Sequence, residues 1–161
     1  MAVDYFLKID GIEGDSQDAQ HKGELVVESF TWGETQTGTS TSGGGGGAGK
    51  VSMQDFHVVT RMSKASPKLF LACASGQHLK SAVLTGRRGG KEQTEFLKWA
   101  LADVLVTSYQ TTGGTDDGAV PTDSLSLSFT RIDVEYQERR PDGSSTGPVK
   151  AGWDLKANKQ V

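Results

Sequence analysis

The run Ser42-Gly43-Gly44-Gly45-Gly46-Gly47-Ala48-Gly49-Lys50 is the part of the chain whose residue types and spacing come nearest to a ligand-holding motif. Backbone N–H groups of a glycine-rich turn can cradle phosphate, and a lysine can then reach the terminal phosphates. Gly44, Gly49 and Lys50 meet most of the pattern GxxxxGK[ST], and Gly44, Gly46 and Gly49 also meet GxGxxG, although any oligoglycine meets such patterns cheaply. The match fails at its next position. A phosphate loop needs a Ser or Thr hydroxyl for Mg²⁺ after the lysine, and a helix whose first amides face the phosphates; Val51 follows instead, and Ser52 comes one place late. Val51 to Val59 is rich in β-branched and aromatic residues with polar ones interspersed, which predicts a strand. Upstream, Gly33 to Ser42 is polar and lacks the buried strand that a phosphate loop terminates. Residues 37–50 are therefore expected to form an extended, flexible loop between two strands, with a nucleotide cradle as the alternative.

Other reactive constellations are missing. His21, His57 and His78 are scattered, and Cys73 with His78 forms neither a CxxC nor an HxxxH pair, so no metal site is expected. There is no GxSxG elbow. Asp116-Asp117 lies in a glycine-rich segment that reads as a loop tip, whereas paired catalytic carboxylates must be fixed on rigid elements. Catalysis has no positive support, and no cofactor is implied.

A chain of 161 residues reads as one domain, residues 1–161, large enough to bury about 70% of its unfolded surface. A net charge of −3 provides no basic field for nucleic acid or anionic lipid. The pairs Arg87-Arg88 and Arg139-Arg140 read as solvated strand ends. A single cysteine allows no internal disulfide, which points to folding in a reducing compartment. The first ten residues lack a basic n-region and an apolar core, and no later run is long enough to span a bilayer, so synthesis in the cytoplasm without membrane insertion is expected.

The elements that would position any site are mostly strands. Val3, Tyr5, Leu7 and Ile9 alternate with Asp4 and Lys8 and stop at Gly11. Leu25 to Trp32 predicts a second strand, with Val26, Phe30 and Trp32 on one face and Leu25, Val27, Ser29 and Thr31 on the other. A short helix lies between Ser66 as N-cap and Gly76, with Pro67 in its first turn and Leu69, Phe70 and Cys73 on its packed stripe. Glu92 to Tyr109 fits helical and strand periods alike; two strands meeting at a bulge or bend near Asp103 are favoured. Ser124 to Gln137 alternates cleanly, with Leu125, Leu127 and Phe129 in one phase and Ile132, Val134 and Tyr136 in the other, which predicts a bend near Thr130 and Arg131. The opposite face of that strand is an uncharged stripe of Thr122, Ser124, Ser126, Ser128 and Thr130. Such a stripe reads as a face meeting another surface or a wet cavity, or else as a merely exposed strand. Val149, Ala151, Trp153 and Leu155 complete a mainly β protein: an antiparallel β-barrel or two-sheet sandwich with one short α-helix and an extended glycine-rich loop.

Several local motifs, in this order and spacing, resemble a known family. Phe6 to Ser16, His21, Phe30-Thr31-Trp32-Gly33, Gly47-Ala48-Gly49-Lys50-Val51, Gln54-Asp55-Phe56, the Ser66-Pro67 helix with Ala72-Cys73, Val104 to Ser108 and Gly152-Trp153-Asp154-Leu155 are similar to the haemolysin-coregulated proteins (Hcp) of bacterial type VI secretion systems. The glycine run is unusually pure for that family, and the chain stops soon after Leu155, without the C-terminal toxin domain of some relatives. The resemblance implies a barrel-like protomer that forms homo-hexameric rings, and rings that stack into the inner tube driven by a contractile sheath, with sheath and spike components and effector proteins as partners. It also implies secretion by that system without a cleaved signal peptide, and no enzymatic activity.

On this reading the loop Gly43, Gly44, Gly45, Gly46, Gly47, Ala48, Gly49, Lys50 serves ring stacking. Ser29 and Thr31 are candidates for the lumen and its cargo, because the opposite parity carries Phe30 and Trp32. Ser124, Ser126 and Ser128 are candidates for a subunit interface or the lumen. The rival readings are a nucleotide binder and an unspecialised β-sandwich binding module. Ordering a residue costs roughly 1–2 kcal/mol and glycine loses the most freedom, so the loop is expected to order only against a neighbouring ring. Replacing Gly44 to Gly47 with bulky residues is accordingly expected to impair tube growth, seen by electron microscopy, while leaving the mass of the ring in sedimentation unchanged.

Overall fold

The computed structural model describes residues 2–38, 49–89, 93–116, 118–140 and 142–161, with the side chains of residues 139 and 145 left aside. The stacking candidates Gly43 to Ala48 lie outside the described residues. The strands are β1 (Val3–Ile9), β2 (Leu25–Thr31), β3 (Glu34–Gln36), β4 (Val51–Met53), β5 (Phe56–Arg61), β6 (His78–Arg88), β7 (Thr94–Thr112), β8 (Thr122–Ser128), β9 (Arg131–Arg139), β10 (Ser145–Asp154) and β11 (Lys159–Gln160); the helix is α1 (Ser66–Ser75).

Every pairing is antiparallel, and the large sheet runs β11-β10-β9-β7-β6-β1-β2-β5-β8. A further pairing of β8 with β7 closes β7, β6, β1, β2, β5 and β8 into a barrel. β7 belongs to two layers. Its residues Leu97 to Ala102 pair with β9, and its residues Leu105 to Thr112 pair with β8. The change of partner falls at Asp103, where φ is +55°. This is the bend that the phase shift in the sequence requires, carried within one continuous strand in place of two. The second expected bend also occurs: β8 ends at Ser128, β9 starts at Arg131, and both Phe129 and Ile132 stay buried.

The barrel core holds Leu7, Leu25, Phe56, Val58, Leu84, Val104, Leu125 and Leu127, each at most 1% exposed. Burying side chains of this size contributes about 1.5–3 kcal/mol apiece. Phe30 stacks on Phe56 at a centroid distance of 5.8 Å, and Trp99 leans on Phe56 at 5.9 Å, so the core runs on to the barrel's end.

Four sequence expectations need correction. The face assignment in β2 is broken by a bulge: Val27 pairs with Thr60 but Ser29 pairs with Val59, leaving Glu28 as the extra residue. Leu25 and Val27 therefore point into the barrel before the bulge, and Phe30 packs on the core after it. Ser66 does not cap α1. Ala65 holds the cap position, and the Ser66 hydroxyl donates to the buried carboxylate of Asp123, which also accepts from Tyr109 Oη at 3.0 Å. Burial, with the Asp123 carboxylate adding to it, raises the Tyr109 phenol above its ordinary range. Phe70 does not pack inward either: the buried side of α1 is Ser66, Leu69 and Ala72.

The fourth correction is Arg87, only 2% exposed and far from a solvated strand end. It lies in β6, a strand that alternation overlooks because Leu84, Thr85, Gly86 and Arg87 are all buried in succession. Its guanidinium forks onto Asp18 at 2.8 and 2.7 Å, reaches Asp4 at 3.5 Å and stacks over Phe6 at 5.0 Å. His21 also stacks on Phe6, parallel at 4.5 Å, with Nδ1 2.8 Å from Glu24 and Nε2 3.1 Å from Glu95. Behind this stack, Gly14 passes so close to Glu24 that a Cβ would meet its carbonyl oxygen at 2.6 Å. The segment between β1 and β2 is thus held on the barrel wall.

Hydrogen bonding to Arg87 holds the Asp18 carboxyl well below the usual carboxylate range, against the opposing effect of burial. The folded state takes up this proton later than the unfolded chain, so the stabilisation is present above about pH 4 and is lost as pH falls further. Asp18→Asn is expected to lower the urea midpoint at neutral pH, and its difference from the parent protein should shrink as pH falls below about 4.

Candidate functional site

The side of β2, β5, β8 and β7 that faces away from the barrel core forms one continuous surface. Strand pairing sets its side chains in rows. Thr31, His57, Ser126 and Ser108 make one row; Ser29, Val59, Ser124 and Gln110 make the next; Arg61, Thr122 and Thr112 make a third, with Glu28 bonded to Arg61 at 2.6 Å. All five Ser and Thr candidates from the two strands therefore share one face, although the sequence places them far apart. Ser29, Thr31 and Ser124 are exposed, Ser128 is half-buried, and Ser126 is only 4% exposed.

Ser126 is enclosed because it is hydrogen-bonded from both sides. Ser108 Oγ donates to its Oγ at 2.7 Å, and His57 Nδ1 lies 2.8 Å away. Beside it, the β7 bulge at Thr107 is tied down by a hydroxyl bond to Asp55 at 2.6 Å. Within these three rows only Glu28, Arg61 and His57 carry or can carry charge, and Glu28 and Arg61 neutralise each other. Such a surface offers hydroxyls and an amide to a partner without a strong field of either sign. The Ser126 hydroxyl is covered, and among the described residues no acidic side chain is placed on the His57 imidazole.

The strand signal alone could have added His57 to this face. His57 alternates with Phe56 and Val58, which are buried, so its outward direction is legible. Ser108 and Gln110 are hidden by the bulge at Thr107, which reverses the parity of β7.

The glycine loop enters and leaves through a small hairpin. Glu34, Thr35 and Gln36 of β3 pair with Met53, Ser52 and Val51 of β4. Gly49 sits so close to Gln36, Thr37 and Gly38 that a Cβ would collide with all three, which explains a glycine there. Lys50 is exposed and leads into β4, so no helix N-terminus follows it, and the geometry of a phosphate loop is not met.

A cleft of about 750 Å³ lies between this hairpin and the β7-β9-β10 sheet. All three tryptophans line it. Trp32 Nε1 donates to Gln54 O at 3.0 Å, whereas the buried Nε1 groups of Trp99 and Trp153 have no acceptor among the described residues. Among the described residues no group of three or more metal-ligating side chains occurs, and no helix is long and apolar enough to cross a membrane.

The comparisons with known proteins agree with this architecture. A sequence profile described as "Type VI secretion system effector, Hcp" matches residues 6–136. The chain belongs to the Hcp family of type VI secretion proteins. It is 42% identical to "Protein hcp1" of Pseudomonas aeruginosa over 163 aligned residues, covering all of both chains. A crystal structure of Hcp1 from Salmonella typhimurium superposes with a TM-score of 0.82 at 37% identity, again over the whole of both chains. A structure described as a type six secretion system protein reaches a TM-score of 0.92 at 30% identity, covering 99% of this chain and 100% of the other. The mainly β barrel expected from the Hcp resemblance is thus the fold observed.

The Ser108–Ser126–His57 link carries one test. Ser126→Ala removes the central hydroxyl and leaves two partners facing a methyl group, which is expected to cost about 1 kcal/mol in urea unfolding. Ser124→Ala, an exposed neighbour without this link, is expected to change the midpoint by less than about half of that.

Proposed function

We propose that this chain is a ring-forming protomer whose rings stack into the inner tube of a type VI secretion system, and that it is exported with the tube. The observation that carries this reading is the pair of unpaired strand edges flanking the hydroxyl face. Among the described residues, β2 beyond Val27 pairs only with β5, and β7 beyond Leu105 pairs only with β8. Exposed edges of this kind present N–H and C=O groups to another chain.

Direction supports the same conclusion. β2, β5, β8 and β7 alternate, so β2 and β7 are antiparallel to each other. Rotation of a copy about an axis along the strands preserves strand direction. The β7 edge of one copy therefore meets the β2 edge of the next antiparallel, and the ladder continues from protomer to protomer. A head-to-tail contact of this sort closes into a ring when the rotation divides a full turn. Six copies are expected from the family resemblance, with the hydroxyl face turned inward.

Ser29, Thr31, Ser124 and Ser128 would then line the lumen together with His57, Ser108 and Gln110, where small effector proteins would travel. The loop from Gly43 to Lys50 would serve ring stacking. Sheath and spike components would meet the outside and the end of the tube. No catalytic step is assigned to the chain.

The test uses paired cysteines in a Cys73→Ala background. Thr31→Cys combined with Ser108→Cys, or with Gln110→Cys, places thiols on strands that neighbour only across protomers; adjacent antiparallel strands bring Cα atoms to about 4.5–5.5 Å, within disulfide reach. Oxidation is expected to give a covalent ladder ending at six on a non-reducing gel, and none from the single variants. Failure of both pairs to cross-link in particles of hexameric mass would remove the proposed edge contact; solitary monomers at high concentration would remove the ring.

A further inference from the structure

We infer that the stacking contact between rings is made by α1 of one copy seated in the tryptophan-lined cleft of a second copy. Phe70 and Leu71 enter the cleft, and Lys68 faces Glu34. The inference rests on the tube reading above and names the surfaces that reading leaves open.

Helix α1 is apolar on both sides. Leu69 and Ala72 face the barrel, while Phe70 at 57% and Leu71 at 60% exposure face outward beside Pro67 and Ala74. A helix that is apolar all round is ordinarily covered all round, and contiguous exposed apolar surface marks a contact. The cleft is the complementary feature. Trp32, Val51, Met53, Trp99, Ile132 and Trp153 contribute to its lining.

Position decides between a contact within one copy and a contact between copies. β5 starts at Phe56, just after the hairpin, and ends at Arg61, just before α1. The cleft and the helix are therefore at opposite ends of the barrel. The helix cannot fill the cleft of its own chain, but a copy displaced along the strand direction brings helix against cleft. That contact is head-to-tail and does not close, so it grows a filament.

Charge supplies the pairing. Lys68 is the only charged residue of α1, and among the described residues Glu34 is the only charged one lining the cleft. Neither forms an ion pair among the described residues. Opposite single charges at the rims of two apolar surfaces favour one register over its alternatives.

Two measurements separate ring from stack: sedimentation for the mass of the ring, and electron microscopy for the concentration at which tubes grow. Lys68→Glu and Glu34→Lys are each expected to raise that concentration about tenfold with the ring mass unchanged, and the double exchange to bring it back to within about threefold. In a Cys73→Ala background, Leu71→Cys with Val51→Cys is expected to give oxidised products larger than a ring. Tubes that tolerate each single charge reversal, or that yield no such products, would overturn the helix-in-cleft contact while leaving the tube reading in place. Rings that never stack under any condition would take the tube reading and this contact together.

Discussion

The turn of β7 at Asp103 is the constraint on which the rest of the molecule depends, because one strand has to serve two neighbours along the same edge. Up to Ala102 that edge belongs to β9; from Leu105 it belongs to β8. Without the turn, β8 would have no partner on this side and the barrel would stay open between β8 and β7. A non-glycine residue at φ +55° costs roughly 1–2 kcal/mol, and aspartate is one of the few that enters this region readily. Its carboxylate lies 3.4 Å from His78 Nδ1 and 3.6 Å from Lys156 Nζ, which ties the bend to the start of β6 and to the segment after β10. The opposite side of the bend is occupied as well: Thr130 N–H donates to Ala102 O at 3.1 Å, where the chain crosses from β8 to β9.

Much of this arrangement is legible in the chain, and what is not has identifiable causes. The parity change between Leu101 and Val104, and that between Phe129 and Ile132, announce both bends, since buried side chains can switch parity only if the backbone turns. The barrel with one helix follows from many short strands and the Ser66-Pro67 start. By contrast, β6 is hidden because Leu84 to Arg87 are buried on both faces, which erases alternation, and because a buried arginine looks like a surface charge until Asp18 and Asp4 are seen beside it. Bulges at Glu28 and Thr107 shift the face of every residue beyond them by one, a change that side-chain type alone does not reveal when both faces carry small polar groups. Phe70 was expected inside for the simplest reason: a large apolar side chain gives the same signal whether it meets its own core or another surface.

The face built from Ser29, Thr31, Ser124, Ser126 and Ser128 shows how little side-chain chemistry the proposed role requires. Its partner contacts would come from backbone groups at two strand edges, and main-chain hydrogen bonds do not depend on residue type. Such a contact tolerates divergence. Structures at 30–37% identity superpose with TM-scores of 0.71 to 0.92, so the barrel geometry that places these edges is retained while most residues differ.

The six residues of β5 join the hairpin end of the barrel to the helix end. At about 3.4 Å of rise per residue they span roughly 20 Å of uninterrupted covalent chain. A push delivered at one end of the barrel is thus transmitted through bond angles and peptide planes, the stiff direction of a sheet, while the weaker lateral hydrogen bonds run across the load. A column assembled in this orientation would resist compression end-on and yield sideways, which is the mechanical bias wanted of a projectile.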